Sequence, residues 1–337
     1  MANAGRAASR PGQVPRLVRA AVCLASAVSV IGWLLVAALN DASPFGMLLG
    51  FAPRWWVVFP WILLLPLGAL AGLPTALVAV GGTLAAVFGI ARFELPRGTP
   101  AAPPRALRVV TYNTDFSLPL TLRLRSDLRR WDADIVLLQD CQVVLAQTLR
   151  LAVPKAGSLG PYCFASRWPI VEAVPLTPPE SRGTTTSPSA IRLRIRTPSG
   201  ELLVYAVHLP SPRHALGAAR WPQPGELIPR LRASLEERGR ASAFVSSVVA
   251  RRNQPFIVAG DFNLPYGSAI LRRDWSDLTN AFAAVGMGFG HTMQAGIFPV
   301  RIDHVLVPST LRPVAATVLS GYPSEHQPVV VDLAWPD

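Results

Sequence analysis

Hydrophobic and polar positions divide this chain into two unlike parts. Between residues 20 and 91 only Asp41 and Arg54 carry a charge. Residues 20–39 form an uncharged run long enough to cross a bilayer core as a helix. A second stretch, residues 55–91, is too long for one span, and Gly72-Leu73-Pro74 near its middle reads as a tight turn. The pattern predicts two short spans, 55–71 and 74–91, with Trp55, Trp56 and Trp61 as an interfacial aromatic belt. The expected organisation is a basic N-terminus over residues 1–19, about three transmembrane helices within 20–91, a linker over 92–105 and a folded domain over 106–337.

The linker holds Pro96, Gly98, Pro100, Pro103 and Pro104, and beyond it the periodicity changes. Short apolar runs rich in β-branched residues recur at 107–112, 135–139, 190–195, 202–208, 256–259, 304–307 and 329–333, and they predict buried strands. Helical spacing predicts helices over 121–131 and 226–252, the latter lined by Leu227, Leu231, Leu235, Phe244, Val248 and Val249. Residues 177–189, rich in Thr, Pro and Ser, read as a loop. Together these elements predict an α+β sandwich, two sheets with helices outside.

Charge adds an orientation. The net charge is +12, carried almost wholly by arginine, and residues 92–337 keep 27 basic against 19 acidic side chains, a surplus of 8. Such a surface favours anionic partners, although an arginine-rich composition also follows from the base composition of a gene. Arg6, Arg10, Arg16 and Arg19 precede the first span and place the N-terminus in the cytoplasm. Three spans then carry the folded domain to the extracytoplasmic side of the cell membrane, with Arg92 and Arg97 pulling mildly the other way. A cleaved signal peptide would explain the basic start but not the two later hydrophobic segments. Of three cysteines, Cys23 reads as an apolar filler of the first span. Cys141 and Cys163 can pair if the domain faces an oxidising compartment, and their spacing is no zinc signature.

Candidate chemistry gathers where the apolar runs end. Asn113 follows the 107–112 run, Asp140 follows 135–139, and His208 ends 202–208. Asp261 and Asn263 follow 256–259, Asp303-His304 opens a strand, and Glu325-His326 precedes the last one. Strand ends of one sheet converge at a rim, where carboxylate and amide oxygens suit a hard divalent cation such as Mg²⁺. Each residue alone is more often a turn former or a satisfied core group; it is their order along one chain that points to a site.

In that order the motifs resemble those of the endonuclease/exonuclease/phosphatase superfamily. They are Arg108-Val-Val-Thr-Tyr-Asn113, Asp134-Ile-Val-Leu-Leu-Gln-Asp140, Ser166-Arg-Trp-Pro-Ile170, Tyr205-Ala-Val-His208, Gly260-Asp-Phe-Asn-Leu264, Ile302-Asp-His-Val-Leu306 and Ser324-Glu-His-Gln-Pro328. The resemblance implies a four-layer α/β sandwich of the deoxyribonuclease-like kind. It also implies that Asn113, Asp140 and Glu325 hold Mg²⁺ or Mn²⁺, that Asp261 and Asn263 orient the attacking water and phosphoryl oxygens, that Asp303 fixes His326 beside the phosphate, and that His208 contacts the phosphate or assists the leaving group. The chain departs from the family in having aspartate rather than glutamate at 140 and glutamate rather than aspartate at 325.

Three functions follow as expectations. A membrane-integral phosphoesterase acting on a phosphorylated lipid or envelope metabolite is the first, and its layout is similar to membrane phosphoesterases of teicoplanin-type resistance. A nuclease is the second; the basic surplus fits it, but no basic stripe interleaved with aromatics tracks a strand. An inactive binding module is the third, supported by the two exchanged acids. Residues 209–240 are expected to border the cleft, with Arg220 and Trp221 as candidates for substrate contact.

Overall fold

The strands of the folded domain read as nearly continuous apolar runs because both of their faces are covered. We describe them from a computed structural model, covering residues 13–96, 106–179, 187–217, 225–250, 254–296 and 298–335. The linker from Gly98 to Pro104, most of the 177–189 loop, and Arg220 and Trp221 lie outside the described residues.

The first sheet is built from β1 (Leu107–Asn113), β2 (Ile135–Gln139), β3 (Ala156–Leu159), β4 (Tyr162–Ser166), β13 (Arg312–Val318) and β14 (Val329–Ala334), in the order β13-β14-β1-β2-β4-β3. The second is built from β5 (Ile170–Leu176), β6 (Ala190–Thr197), β7 (Gly200–His208), β8 (Phe256–Asp261), β9 (Thr279–Asn280) and β12 (Asp303–Val307), in the order β5-β6-β7-β8-β12-β9. A separate hairpin pairs β10 (Met293–Ala295) with β11 (Phe298–Val300).

Side-chain alternation sorts these strands into layers. Val109, Ile135 and Leu137 turn inward to meet Ile191, Leu193, Val204, Ile257 and Val305 of the facing sheet. Their neighbours Val110, Tyr112, Val136 and Leu138 turn outward against α5 (Leu118–Trp131) and α6 (Val143–Ala152). On the other side Leu203, Tyr205, Val207 and Val258 pack against α8 (Leu227–Val249) and α9 (Ala269–Trp275). Each fully buried aliphatic side chain contributes about 1.5–3 kcal/mol. The result is the expected helix–sheet–sheet–helix sandwich.

Each sheet contains one parallel pair, β1–β2 and β7–β8. A parallel pair needs a crossover, here α5 in one sheet and α7 (Arg213–Gly217) with α8 in the other. The carboxyl ends of a parallel pair lie side by side, and in open α/β sheets this is where ligands bind. β12 and β14 run antiparallel to their neighbours, so their starts reach the same rim.

The chain divides into two compact units, one comprising residues up to Ala38 together with Pro53–Phe93, the other Leu39–Ala52 together with Glu94–Asp337. In the first unit α1 (Gln13–Leu39), α3 (Trp55–Leu70) and α4 (Leu73–Leu84) form the hydrophobic helices, and Gly72, with φ +108°, makes the expected turn between the last two. Two helical segments, Arg16–Val36 and Leu73–Ile90, are long and apolar enough to cross a bilayer. Leu24, Ile62, Leu63, Leu70 and Leu77 point outward and are exposed. Inside the unit Trp61 donates its indole N–H to Ser29 Oγ at 3.2 Å. Arg19 donates to Ala71 O and Arg54 to Ile90 O, each at 3.3 Å, so one arginine marks each end of the helix group. The segment between α1 and α3, with α2 (Pro44–Phe51), packs into the second unit.

Candidate active site

Strand register assembles the rim. His208 and Asp303 both stand opposite Asp261, one on each side of β8, while Asn113 ends β1 beside Gln139, which precedes Asp140. Gly260 makes the crowding at this point bearable: its φ is +145°, and a Cβ there would lie 2.0 Å from the Val207 carbonyl oxygen. Asp140 and Asn263 both adopt left-handed backbone, with φ of 49° and 50°, conformations rare outside glycine that concentrate at functional sites.

Asp261 is the hub. Its Oδ1 accepts the Asn263 backbone N–H at 2.8 Å, and its Oδ2 accepts Asn113 Nδ2 at 2.9 Å and Asn263 Nδ2 at 3.2 Å. Asn263 Nδ2 also reaches Leu209 O at 2.9 Å. Two imidazoles flank the same Oδ2, His208 Nε2 at 3.7 Å and His326 Nε2 at 3.8 Å. Asp140 Oδ1 lies 3.5 Å from His208 Nδ1, so His208 stands between two carboxylates. His326 Nδ1 donates to Asp303 Oδ2 at 2.9 Å. Asp261, Asp303 and His326 are all buried, at 1%, 2% and 4% exposure, so their charges interact with little screening.

Electrostatics follow from that burial. Desolvation works against the charge of His326, but Asp303 and Asp261 outweigh it and raise its pKa to about 9. Burial pushes the Asp303 carboxyl upward, and the imidazolium of His326 pulls it back. Burial also raises Asp140, which His208 lowers and Asp261 raises again. A rim that buries Asp261 and Asp303 with the partly exposed Asp140 close by gains from a cation. Carboxylate and amide oxygens at this rim suit a hard divalent ion; of Asp261, Asp303 and His326, whose possible ligand atoms lie within 4.8 Å of one another, the imidazole is already held by Asp303.

The structure thus brings Asn113, Asp140, His208, Asp261, Asn263, Asp303 and His326 together. Glu325 is placed differently: its half-exposed carboxylate accepts Arg213 Nη2 at 2.7 Å, and Arg213 Nη1 lies 3.8 Å from Asp115. Several supporting residues escaped sequence reasoning. Ser324 donates to Asn113 O at 2.9 Å and accepts the His326 N–H at 3.0 Å, tying the last motif to β1. Thr292 Oγ1 accepts the N–H groups of Ile302 and Asp303 at 3.1 and 3.0 Å. Arg238, fully buried, donates to Asn263 O at 2.9 Å. Only Ser324 carried a signal, its place in a motif; Thr292 and Arg238 look like ordinary loop and helix residues in sequence. His304, next to Asp303, is structural: its Nε2 donates to Leu264 O at 2.9 Å and its Nδ1 accepts Asn280 Nδ2 at 3.2 Å. Cys141 and Cys163 form a disulfide directly beside Asp140.

Comparison with known proteins identifies the family and the fold. Residues 110–326 match the Endonuclease/Exonuclease/phosphatase family. Among solved structures, a D. rerio TDP2 humanized by 14 mutations is similar at 15% identity and a TM-score of 0.52, covering 68% of this chain and 98% of its own. The 3′ phosphatase NExo from Neisseria, bound to a product DNA hairpin, is similar at 17% identity and TM-score 0.51, over 68% of this chain and 100% of its own. A functionally unknown conserved protein from Enterococcus faecalis V583 is similar at 12% identity and TM-score 0.51, over 68% and 99%. No curated protein matches by sequence. With the match spanning nearly the whole folded domain, and the fold shared, the chain belongs to the endonuclease/exonuclease/phosphatase family.

Proposed function

We propose that this chain is a membrane-anchored, divalent-metal-dependent phosphoester hydrolase acting on a phosphorylated lipid or envelope metabolite at the extracytoplasmic face. The observation that carries the reading is the convergence of Asp261, His326 and Asp303 with His208 and Asp140 at one buried rim.

In this reading Asp261, held from both sides by Asn113 and Asn263, aligns a water and takes its proton as the water oxygen attacks phosphorus. Asp303 holds His326 Nδ1–H, keeping the ring cationic at neutral pH and its Nε2–H turned to a phosphoryl oxygen. His208 stands where it can protonate the departing oxygen. Asn113, Asp140 and Glu325 are the proposed metal ligands, with Glu325 the one engaged elsewhere, by Arg213. A bound Mg²⁺ or Mn²⁺ supplies neutralisation of the charge that develops on the phosphoryl oxygens.

Three features support the orientation. The N-terminal arginines favour the cytoplasm. The Cys141–Cys163 disulfide fits an oxidising compartment. The connector Leu39–Ala52, which follows the first predicted span, belongs to the same compact unit as the catalytic domain. Anchoring beside the bilayer raises the effective concentration of lipid-linked substrates.

A nuclease is the second reading, because the similar NExo structure holds a product DNA hairpin. The deciding assay uses the full chain in proteoliposomes with Mg²⁺ or Mn²⁺, offered polyprenyl pyrophosphate, sphingomyelin, inositol phosphates and DNA. Turnover of a lipid or small phosphoester, abolished in Asp261→Ala and His326→Ala, is the expected result. Preferential cleavage of DNA would establish the second reading, and unchanged turnover in both variants would remove the site.

A further inference from the structure

The hydrophobic stretch of residues 20–91 carries one acidic residue, Asp41, and its place in the fold is specific. Asp41 is 3% exposed, and its carboxylate accepts both the Ser268 hydroxyl and the Ala269 N–H at the start of α9. A carboxylate in that position satisfies donors that a helix start leaves unpaired. Three residues further along, α2 begins, and although its sequence reads as membrane-seeking, Met47 and Phe51 are buried against Ala215, Leu231, Val300 and Ile302.

Under this small core lies Arg238, whose burial without hydrogen bonds would be costly. Its Nη2 donates to Met47 Sδ at 3.0 Å, and its guanidinium carbon lies 5.7 Å from the centre of the Phe51 ring. Its Nη1 donates to the carbonyl of Asn263, the residue that grips Asp261 through both its backbone and its amide. A chain of direct contacts therefore runs from the connector between α1 and α3 to the hub of the site. The same connector touches α7, which carries Arg213, and Ile302, which precedes Asp303.

We propose that the Leu39–Ala52 connector is a working part of the active site: Met47 holds Arg238 against the Asn263 carbonyl, Asp41 fixes the start of α9, and together they keep the 261–263 loop in the geometry that presents Asp261. Asp41 and Arg238 are positioning residues for the hydrolytic reaction. This inference rests on the phosphoester-hydrolase reading for its catalytic meaning, but its structural content can be tested separately.

The test uses the full chain in detergent with Mn²⁺ and bis(p-nitrophenyl) phosphate, alongside hydrogen exchange of the peptide spanning residues 256–264. Asp41→Ala and Arg238→Lys are expected to lower kcat about tenfold with KM within about twofold, the pattern of a lost transition-state arrangement rather than lost binding. Asp41→Asn, whose amide oxygen can still accept the Ala269 N–H while its amide NH2 donates to the Ser268 hydroxyl oxygen, is expected to recover kcat to within about twofold, a rescue that general destabilisation does not produce. Exchange in the 256–264 peptide should quicken about tenfold in Asp41→Ala and return in Asp41→Asn. Where Arg238→Lys does not fold, Met47→Ala carries the test by the same criteria. Unaltered kcat and unaltered exchange in Asp41→Ala and Met47→Ala overturn the proposal. If the parent protein has no phosphoesterase activity, the hydrolase reading fails, and the exchange arm still decides whether the connector holds the loop.

Discussion

His326 Nδ1 donates to Asp303 Oδ2 across 2.9 Å, joining the segment before β14 to the first residue of β12. The bond fixes the tautomer of the imidazole and, with Asp261, raises its pKa to about 9. Replacing Asp303 by Asn is expected to cut kcat at least about 100-fold, within the range of general acid–base contributions. It should also move the alkaline limb of the pH–rate profile to lower pH, because the cation loses its main stabiliser. A profile recorded on both proteins checks this; an unmoved alkaline limb contradicts the assigned role.

The proposed metal ligands can be ranked by metal titration. Asp140 faces His208 within the rim, whereas Glu325 is held by Arg213 in a half-exposed pair. Asp140→Asn is expected to raise the Mn²⁺ midpoint about tenfold or more, and Glu325→Gln by less than about threefold. Calorimetric titration of the two variants measures both.

Acid stability should depend on His304. Burial lowers its pKa from 6.5 to about 4, with Leu264 O and Asn280 satisfying the neutral ring. The folded state therefore binds a proton less readily than the unfolded state. This contribution is present above pH 6.5 and is lost as pH falls towards 4, on the order of 3 kcal/mol in all. Urea unfolding at pH 7.5 and pH 5 should show a smaller pH difference in His304→Gln than in the parent.

Reduction of the Cys141–Cys163 disulfide frees two residues separated by 22 positions. The loop-closure argument gives a loss of roughly 3 kcal/mol. Since Cys141 adjoins Asp140, the Mn²⁺ midpoint should rise as well, and titrations with and without a reductant test both effects.

Gly260→Ala should be more damaging than its size suggests. The added methyl meets the Val207 carbonyl at 2.0 Å in a backbone region foreign to L side chains. About 3 kcal/mol or more of destabilisation is expected, together with loss of activity, as read by thermal unfolding and turnover.

Much of this was legible in the sequence. The seven predicted strands all lie on observed ones, because strands buried on both faces leave long apolar runs. Most of the strands that went unread are short or sit at edges: β5 and β13 contain Pro175 and Pro313, which edge strands tolerate, and β9 has two residues; β4 is interior and five residues long, but Tyr162-Cys-Phe-Ala-Ser166 lacks the β-branched run that marks the others. The rim residues were legible because each stands at a strand end in a set order. Arg238 and Thr292 were not, because their roles depend on backbone groups brought close only by folding. The connector around Met47 was hidden for a different reason: apolar residues flanked by hydrophobic helices look alike in sequence, whatever surface they finally cover.

The hydrogen bond from Asn113 to Asp261 joins β1 of one sheet to β8 of the other, and the His326–Asp303 bond closes a second stitch beside it. Chemistry here straddles a seam. A core substitution that lets one layer slide by a fraction of an ångström would therefore silence turnover well before the protein melts, and residual activity becomes a sensitive gauge of how tightly the two halves of the sandwich are registered.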